Sequence, residues 1–235
     1  MFFGVPVATE GHPDKMCPVR NHHRMPLGWE SVKNYREVKK TVKEKIAKVI
    51  RVITVPPLLI LIMLSILFYS FGEVFATAGE FVMAVVFLSF VPACAYPLAR
   101  IRQGTCENSR EGQRNMAFIL NFGGYLLALI IGKSIGCSEM LMCILVSFFL
   151  AVMVLTFINK VCEIRASGHA CSCTLPYLLL SYWFSGATAV ICIIFYGIEF
   201  WASVELKRHT VSEFIAGSIT AFAAFGISAL YFGFY

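Results

Sequence analysis

Long apolar runs separated by short polar segments dominate the chain from residue 52 onwards. A membrane-spanning helix needs about 20 mostly apolar residues. The runs that meet or approach this length are 52–71, 81–99, 116–135, 139–158, 170–184, 187–202 and 212–235. The two short runs are divided at Ser185 and Gly186, where glycine favours a turn. The pattern therefore predicts an all-α, polytopic membrane bundle of about seven spans, or six if one of the short pair is re-entrant.

The first 51 residues follow a different pattern. The segment SVKNYREVKKTVKEKIAKVIR (residues 31–51) interleaves Val, Tyr and Ile with Lys at roughly helical spacing, which predicts an amphipathic helix. Such a helix suits an anionic lipid surface, and a solvated helix beside the membrane is the alternative. We therefore divide the chain into a basic arm, residues 1–51, partly disordered around this helix, and a membrane domain, residues 52–235.

Composition supports the membrane class. The chain is 58% hydrophobic and 14% charged, whereas an ordinary soluble domain carries about 25% charged residues. The first 50 residues lack the apolar core of a secretory signal, so we expect the first run to be retained as a span. The nine cysteines are an odd number and lie mostly in apolar runs, which predicts no disulfides.

Charge placement predicts the orientation of the spans. Residues 1–51 hold 11 Lys and Arg against 5 Asp and Glu. With seven spans, the basic loops 100–115, 159–168 and 203–209 fall on the same face as this arm. The positive-inside rule makes that face cytoplasmic. We therefore expect a multi-pass protein of the cell membrane with a cytoplasmic N-terminus.

Two histidine motifs on that face are candidates for chemistry. They are RASGHACS (Arg165–Ser172) and ELKRHTVSEFIAG (Glu205–Gly217). His209 and Glu213 have i, i+4 spacing, so on one helical face the carboxylate could accept the imidazole N–H and fix its tautomer. An interfacial histidine without a chemical role is the alternative for each motif taken alone.

The two motifs and their spacing resemble the type 2 phosphatidic acid phosphatase family over roughly residues 100–235. That family carries PSGH and SRxxxxxHxxxD motifs on an all-helical membrane bundle, and it hydrolyses lipid phosphates through a phosphohistidine. The resemblance implies that His209 is the nucleophile, Glu213 orients it, and His169 is the general acid. Glu213 stands where the family has Asp, and Ala166 where it has Pro.

Phosphate binding requires cations and N–H donors, because a phosphomonoester carries about two negative charges. Ser203 occupies the position of the family's arginine, so Lys207 or Arg208 would have to replace it. Ser167 and Gly168 match the family's phosphate cradle, and Arg165 matches a basic residue before the histidine. The residues expected to bind phosphate are Arg165, Ser167, Gly168, Lys207, Arg208, Arg114 and Arg110.

The resemblance predicts a metal-independent lipid phosphatase without cofactors. Its substrate would be a lipid phosphate monoester or a polyprenyl diphosphate, with anionic lipid headgroups at the basic arm and no nucleic-acid partner. The alternative is a catalytically inactive binding or scaffold protein of the same fold. A transporter is disfavoured because ionisable residues are nearly absent from the middle of the runs. A zinc site at Cys171 and Cys173 is also disfavoured, because residues two apart on a helix point in different directions.

A short N-terminal stretch raises another interpretation. TEGHPDKMC (Thr9–Cys17) resembles the start of a methionine adenosyltransferase, in which the His, Asp and Lys help to hold triphosphate and metal. The similarity ends at Pro18, and the glycine-rich and acidic partners that this chemistry needs are missing downstream. We interpret the match as a coincidence or a relic of a neighbouring reading frame.

Overall fold

The computed structural model describes residues 29–102, 109–184 and 186–234, which contain helices and no strand. The predicted all-α class is confirmed for this part of the chain, and the stretch Thr9–Cys17 lies outside it. The helices are α1 (Trp29–Ile53), α2 (Pro56–Ser70), α3 (Ala78–Val85), α4 (Val91–Ala93), α5 (Ala95–Arg102), α6 (Ser109–Ile135), α7 (Glu139–Lys160), α8 (Gly168–Phe184), α9 (Gly186–Glu205) and α10 (Val211–Tyr231), with a π-helical stretch, Val86–Phe90, between α3 and α4.

The chain divides into two compact units, Met1–Lys40 and Thr41–Tyr235. The predicted amphipathic segment 31–51 falls within α1. In the part of α1 that belongs to the second unit, Val42, Ile46 and Val49 are 49%, 49% and 58% exposed. Their spacing places them along one side of the helix. Binding of this helix to a lipid surface remains a prediction.

Four described helices are long and apolar enough to cross a membrane. They are α7, α9, α10 and the part of α6 from Asn115 to Ile135. The number rises to five if the bent pair Val38–Ile53 and Pro56–Ser70 is counted as one span. The predicted count of seven is therefore not reached. Run 170–184 forms α8, whose 17 residues extend about 26 Å at 1.5 Å each, less than the roughly 30 Å hydrocarbon core. Run 81–99 is divided between short helices.

The break between α1 and α2 has a local cause. Pro56 and Pro57 occupy the first positions of α2, where the missing proline N–H is not needed. Continuing α1 through them would lose backbone hydrogen bonds and push each ring against the carbonyl four residues earlier. The two helices are accordingly bent by 51°, one turn after Arg51.

Packing brings the two histidine motifs to one end of the bundle. Helix α10 packs against α7 and α8, α8 packs against α9 and α2, and α6 packs against α7. Between them lies a core of large apolar side chains. The loop 161–167 precedes α8 and the loop 206–210 precedes α10, so the packing of these two helices positions both loops.

Candidate active site

A cavity of about 510 Å³ lies where these loops meet. Its wall is apolar towards the bundle, where Ile60, Phe148 and Leu155 line it. Its polar wall comes from three separate parts of the sequence. The arginines, histidines and carboxylate there are Arg51, Arg165, His169, Arg208, His209 and Glu213.

The two motifs are joined through the backbone. The N–H of Ser167 donates a 2.8 Å hydrogen bond to the carbonyl oxygen of Glu213. Gly217, one turn further along α10, permits this approach, because a Cβ atom there would overlap the carbonyl oxygen of Ser167. The Ser167 side chain is buried and caps α8 by accepting from the N–H of Ala170 at 3.1 Å. Ser167 therefore fixes the position of His169 in the first turn of α8.

Asn159 holds the other end of the same loop. Its amide donates to the carbonyl oxygens of Leu155 at 2.8 Å and Ala166 at 3.2 Å. Its Oδ1 accepts the N–H of Ala166 at 3.1 Å. Two hydrogen bonds from one side chain thus fasten the chain before Ser167 to the end of α7, a role that sequence reasoning did not assign to Asn159.

His209 and Glu213 are paired as predicted, but the local structure that pairs them differs from the prediction. The helix begins at Val211 with Thr210 as its N-cap, so His209 lies just before the helix. Glu213 turns back towards the cap, and its Oε2 accepts the Thr210 N–H at 3.1 Å in a capping box. The same oxygen lies 3.5 Å from Nδ1 of His209. The predicted pair is present, and the capping box rather than a shared helical face produces it.

The surroundings of His209 favour its neutral form. Burial, followed by the charges of Arg51 and His169, lowers the pKa of His209 from its ordinary value of 6.5 to about 4, although Glu213 acts in the opposite direction. A neutral imidazole whose Nδ1 faces a carboxylate carries its proton on Nδ1. The lone pair of Nε2 is then free to act as a nucleophile.

His169 faces a buried carboxylate. Its Nε2 lies 3.1 Å from Oε1 of Glu199, a residue of α9 that is 1% exposed. The other oxygen of Glu199 accepts a 3.4 Å hydrogen bond from the Tyr177 hydroxyl. Sequence reasoning missed Glu199, although a lone carboxylate within the apolar run 187–202 is a signal of function in a membrane segment.

The predicted phosphate-binding residues divide into three groups. Arg165, Gly168 and Arg208 line the cavity, whereas Ser167 and the exposed Lys207 do not. Arg110 and Arg114 lie on α6, but their side chains are outside the described part of the structure. Ser203, at the position of the family's arginine, is buried and does not line the cavity.

Arg51 supplies a cation that the sequence did not reveal. It lines the cavity beside the histidines and interacts electrostatically with His209. Its place in the sequence, within the basic segment 31–51, gave no reason to separate it from the surface lysines. The bend between α1 and α2 determines its position.

No family model, curated protein or solved structure matches this chain. The assignment to the phosphatase family therefore remains a prediction from the two histidine motifs. The geometry of the cavity provides a separate basis for a functional proposal. Two histidines, each beside a carboxylate, share a cavity with three arginines, and this combination suits an anionic substrate.

Proposed function

We propose that this protein is an integral-membrane lipid phosphatase. The observation that carries the proposal is the convergence of His169, His209 and three arginines on one cavity with a largely apolar inner wall. The arginines suit a phosphate group, and the apolar wall suits a lipid chain. The substrate class is a lipid phosphate monoester or a polyprenyl diphosphate.

The proposed reaction uses the histidines in sequence. Nε2 of His209 attacks the terminal phosphorus while Glu213 holds Nδ1. The bond from this phosphorus to the leaving oxygen breaks, and His169 gives a proton to the leaving group, an alkoxide from a monoester or a polyprenyl phosphate from a diphosphate. Water then attacks the phosphorus of the phosphohistidine and gives a proton to His169, the bond from phosphorus to Nε2 of His209 breaks, and inorganic phosphate leaves. Arg51, Arg165 and Arg208 neutralise the phosphoryl oxygens, in place of the arginine that Ser203 replaces.

We also propose the orientation and span count that the charge pattern predicts. In this arrangement the short helix α8 and the helices of run 81–99 cross the cell membrane in addition to the five segments described above, the N-terminus is cytoplasmic, and the cavity opens on the cytoplasmic side. The support is the presence of basic residues in the segments 100–115, 159–168 and 203–209.

The test is phosphate release from a panel of lipid phosphates by detergent-purified protein in EDTA. We expect the parent to release phosphate and His209→Ala to release none. We expect Arg208→Ala to lower kcat/KM by about 10- to 100-fold, as for loss of a charged hydrogen bond. Lys207→Ala is the matched control, because this neighbour carries the same charge but does not line the cavity. A folded parent that releases no phosphate would favour the inactive scaffold instead.

A further inference from the structure

Three metal-ligating side chains converge beside the cavity. His169 and Cys173 lie one turn apart on the same side of α8, and Glu199 faces them from α9. Their ligand atoms, Nε2, Sγ and a carboxylate oxygen, all lie within 4.8 Å of one another. Cys173 and Glu199 are each 1% exposed. The cluster is therefore formed by tertiary packing and is shielded from bulk water.

Hydrogen bonds account for only part of the cluster. The Cys173 thiol donates to the carbonyl oxygen of Thr54 at 3.4 Å, and Oε2 of Glu199 accepts from the Tyr177 hydroxyl. Nε2 of His169 and Oε1 of Glu199 are 3.1 Å apart, yet neither makes a hydrogen bond within the described residues. Buried polar atoms without such a partner are rare and are costly to the folded state. The two atoms are therefore close enough to form an ion pair if His169 is protonated, but they make no hydrogen bond with each other. A bound cation would satisfy both.

The donor set indicates which cation this would be. Imidazole nitrogen, thiolate sulfur and carboxylate oxygen are the three ligand types of Zn²⁺, at about 2.0–2.3 Å from the metal. A thiolate and a carboxylate together would balance the charge of a divalent ion. This balance matters because Arg51 lies close enough to Cys173 to interact with it electrostatically. Hard cations such as Mg²⁺ prefer oxygen ligands and fit poorly.

We infer that His169, Cys173 and Glu199 form a binding site for a thiophilic divalent cation, with Zn²⁺ the best fit. Zinc is tetrahedral and is commonly held by three protein ligands and a fourth, exchangeable one. His169 also lines the cavity, whereas Cys173 and Glu199 do not. The fourth position and the access route therefore lie on the His169 side.

The inference has a consequence that rests on the proposed function. A metal on Nε2 of His169 occupies the nitrogen that faces Glu199 and changes the protonation of the proposed general acid. Bound Zn²⁺ is therefore expected to inhibit phosphate release, and EDTA to relieve the inhibition. The metal-independent reaction predicted from the sequence would be the reaction of the metal-free form.

Binding can be tested without turnover by using the His209→Ala variant of the full chain in detergent. Co²⁺ is the probe, because a cobalt–thiolate bond absorbs in the near ultraviolet. We expect one Co²⁺ per chain with this absorption, displaced by one equivalent of Zn²⁺. Cys173→Ser should abolish the thiolate band. Cys171→Ser is the matched control, because Cys171 is also buried on α8 but lies outside the cluster, and it should retain the band.

A second variant keeps the inference testable if Cys173→Ser does not fold. Glu199→Gln preserves the side-chain shape and should keep the thiolate band while weakening Co²⁺ affinity at least about tenfold. No Co²⁺ uptake by the starting protein would overturn the inference, as would equal affinity in Glu199→Gln or an unchanged band in folded Cys173→Ser. Absence of phosphate release in the parent would count only against the proposed function, since these measurements need no substrate.

Discussion

The backbone N–H of Ser167 donates a 2.8 Å hydrogen bond to the carbonyl oxygen of Glu213. This contact joins the loop before α8 to the first turn of α10. It therefore brings together the two motifs whose histidines, His169 and His209, are 40 positions apart in the sequence. The hydrogen bond uses backbone atoms, so it depends on how closely the two segments approach rather than on the identity of either side chain.

The close approach predicts a specific effect of Gly217→Ala. The added Cβ would overlap the Ser167 carbonyl oxygen, so α10 and the loop must move apart. Overpacking of this kind costs about 1–3 kcal/mol, and we expect a lower midpoint of thermal unfolding in detergent together with reduced phosphate release. Gly226→Ala on the same helix is the control, because a Cβ there meets no atom within 4 Å. Equal midpoints for the two variants would contradict the prediction.

The two roles of Glu213 can be separated by two substitutions. Thr210→Ala removes the side chain that accepts the Glu213 N–H and should cost about 1 kcal/mol of stability as a lost N-cap, with the carboxylate still beside His209. Glu213→Gln keeps an oxygen for the Thr210 N–H but removes the charge facing Nδ1. We expect Glu213→Gln to lower kcat more than Thr210→Ala does, and Thr210→Ala to lower the unfolding midpoint more. The reverse order would show that Glu213 acts only as a cap.

The lowered pKa of His209 predicts a dependence of stability on pH. Between its ordinary pKa of 6.5 and the folded value of about 4, the unfolded chain binds a proton at His209 that the folded chain does not. Folding stability should therefore fall as the pH falls through this window. His209→Gln cannot bind this proton, so its unfolding midpoint should decline less between pH 7 and pH 4.5. Parallel declines for parent and variant would show that His209 titrates normally in the folded protein.

The orientation can be tested with a native thiol. Cys162 is exposed in the loop after α7, on the face that we propose to be cytoplasmic. Cys17 and Cys106 lie in segments that we propose to share this face, so the test uses a Cys17→Ser/Cys106→Ser background. There, a membrane-impermeant maleimide should label Cys162 only after intact cells are permeabilised, and Cys162→Ser should remove that labelling. Ser134 is exposed in the last turn of α6, and in the proposed orientation it lies on the opposite, external face of the membrane. In the Cys162→Ser background, Ser134→Cys should be labelled from outside intact cells. Labelling of Cys162 in intact cells would reverse the proposed orientation.

The sequence by itself determined the helical class and the candidate motifs. Apolar runs act over a few residues, so a helix such as α7 could be located from the local pattern alone, whereas the break before Pro56 falls inside the predicted run 52–71. The pairing of His209 with Glu213 was also predicted, because the two residues are only four positions apart, although on a shared helical face rather than through a capping box. The number of spans could not be determined in this way, because the hydrophobicity of a run such as 170–184 does not fix the length of the helix that the run forms.

Only the tertiary structure decided which residues share the cavity. Arg208 lines it and its neighbour Lys207 does not, because the turn between α9 and α10 directs adjacent side chains differently. Arg51 and Glu199 reach the histidines from α1 and α9, at distances along the sequence over which no local pattern operates. Helix packing sets these contacts, and it depends on the fit of whole apolar faces. That fit is a property of the folded chain and cannot be read from the spacing of residues.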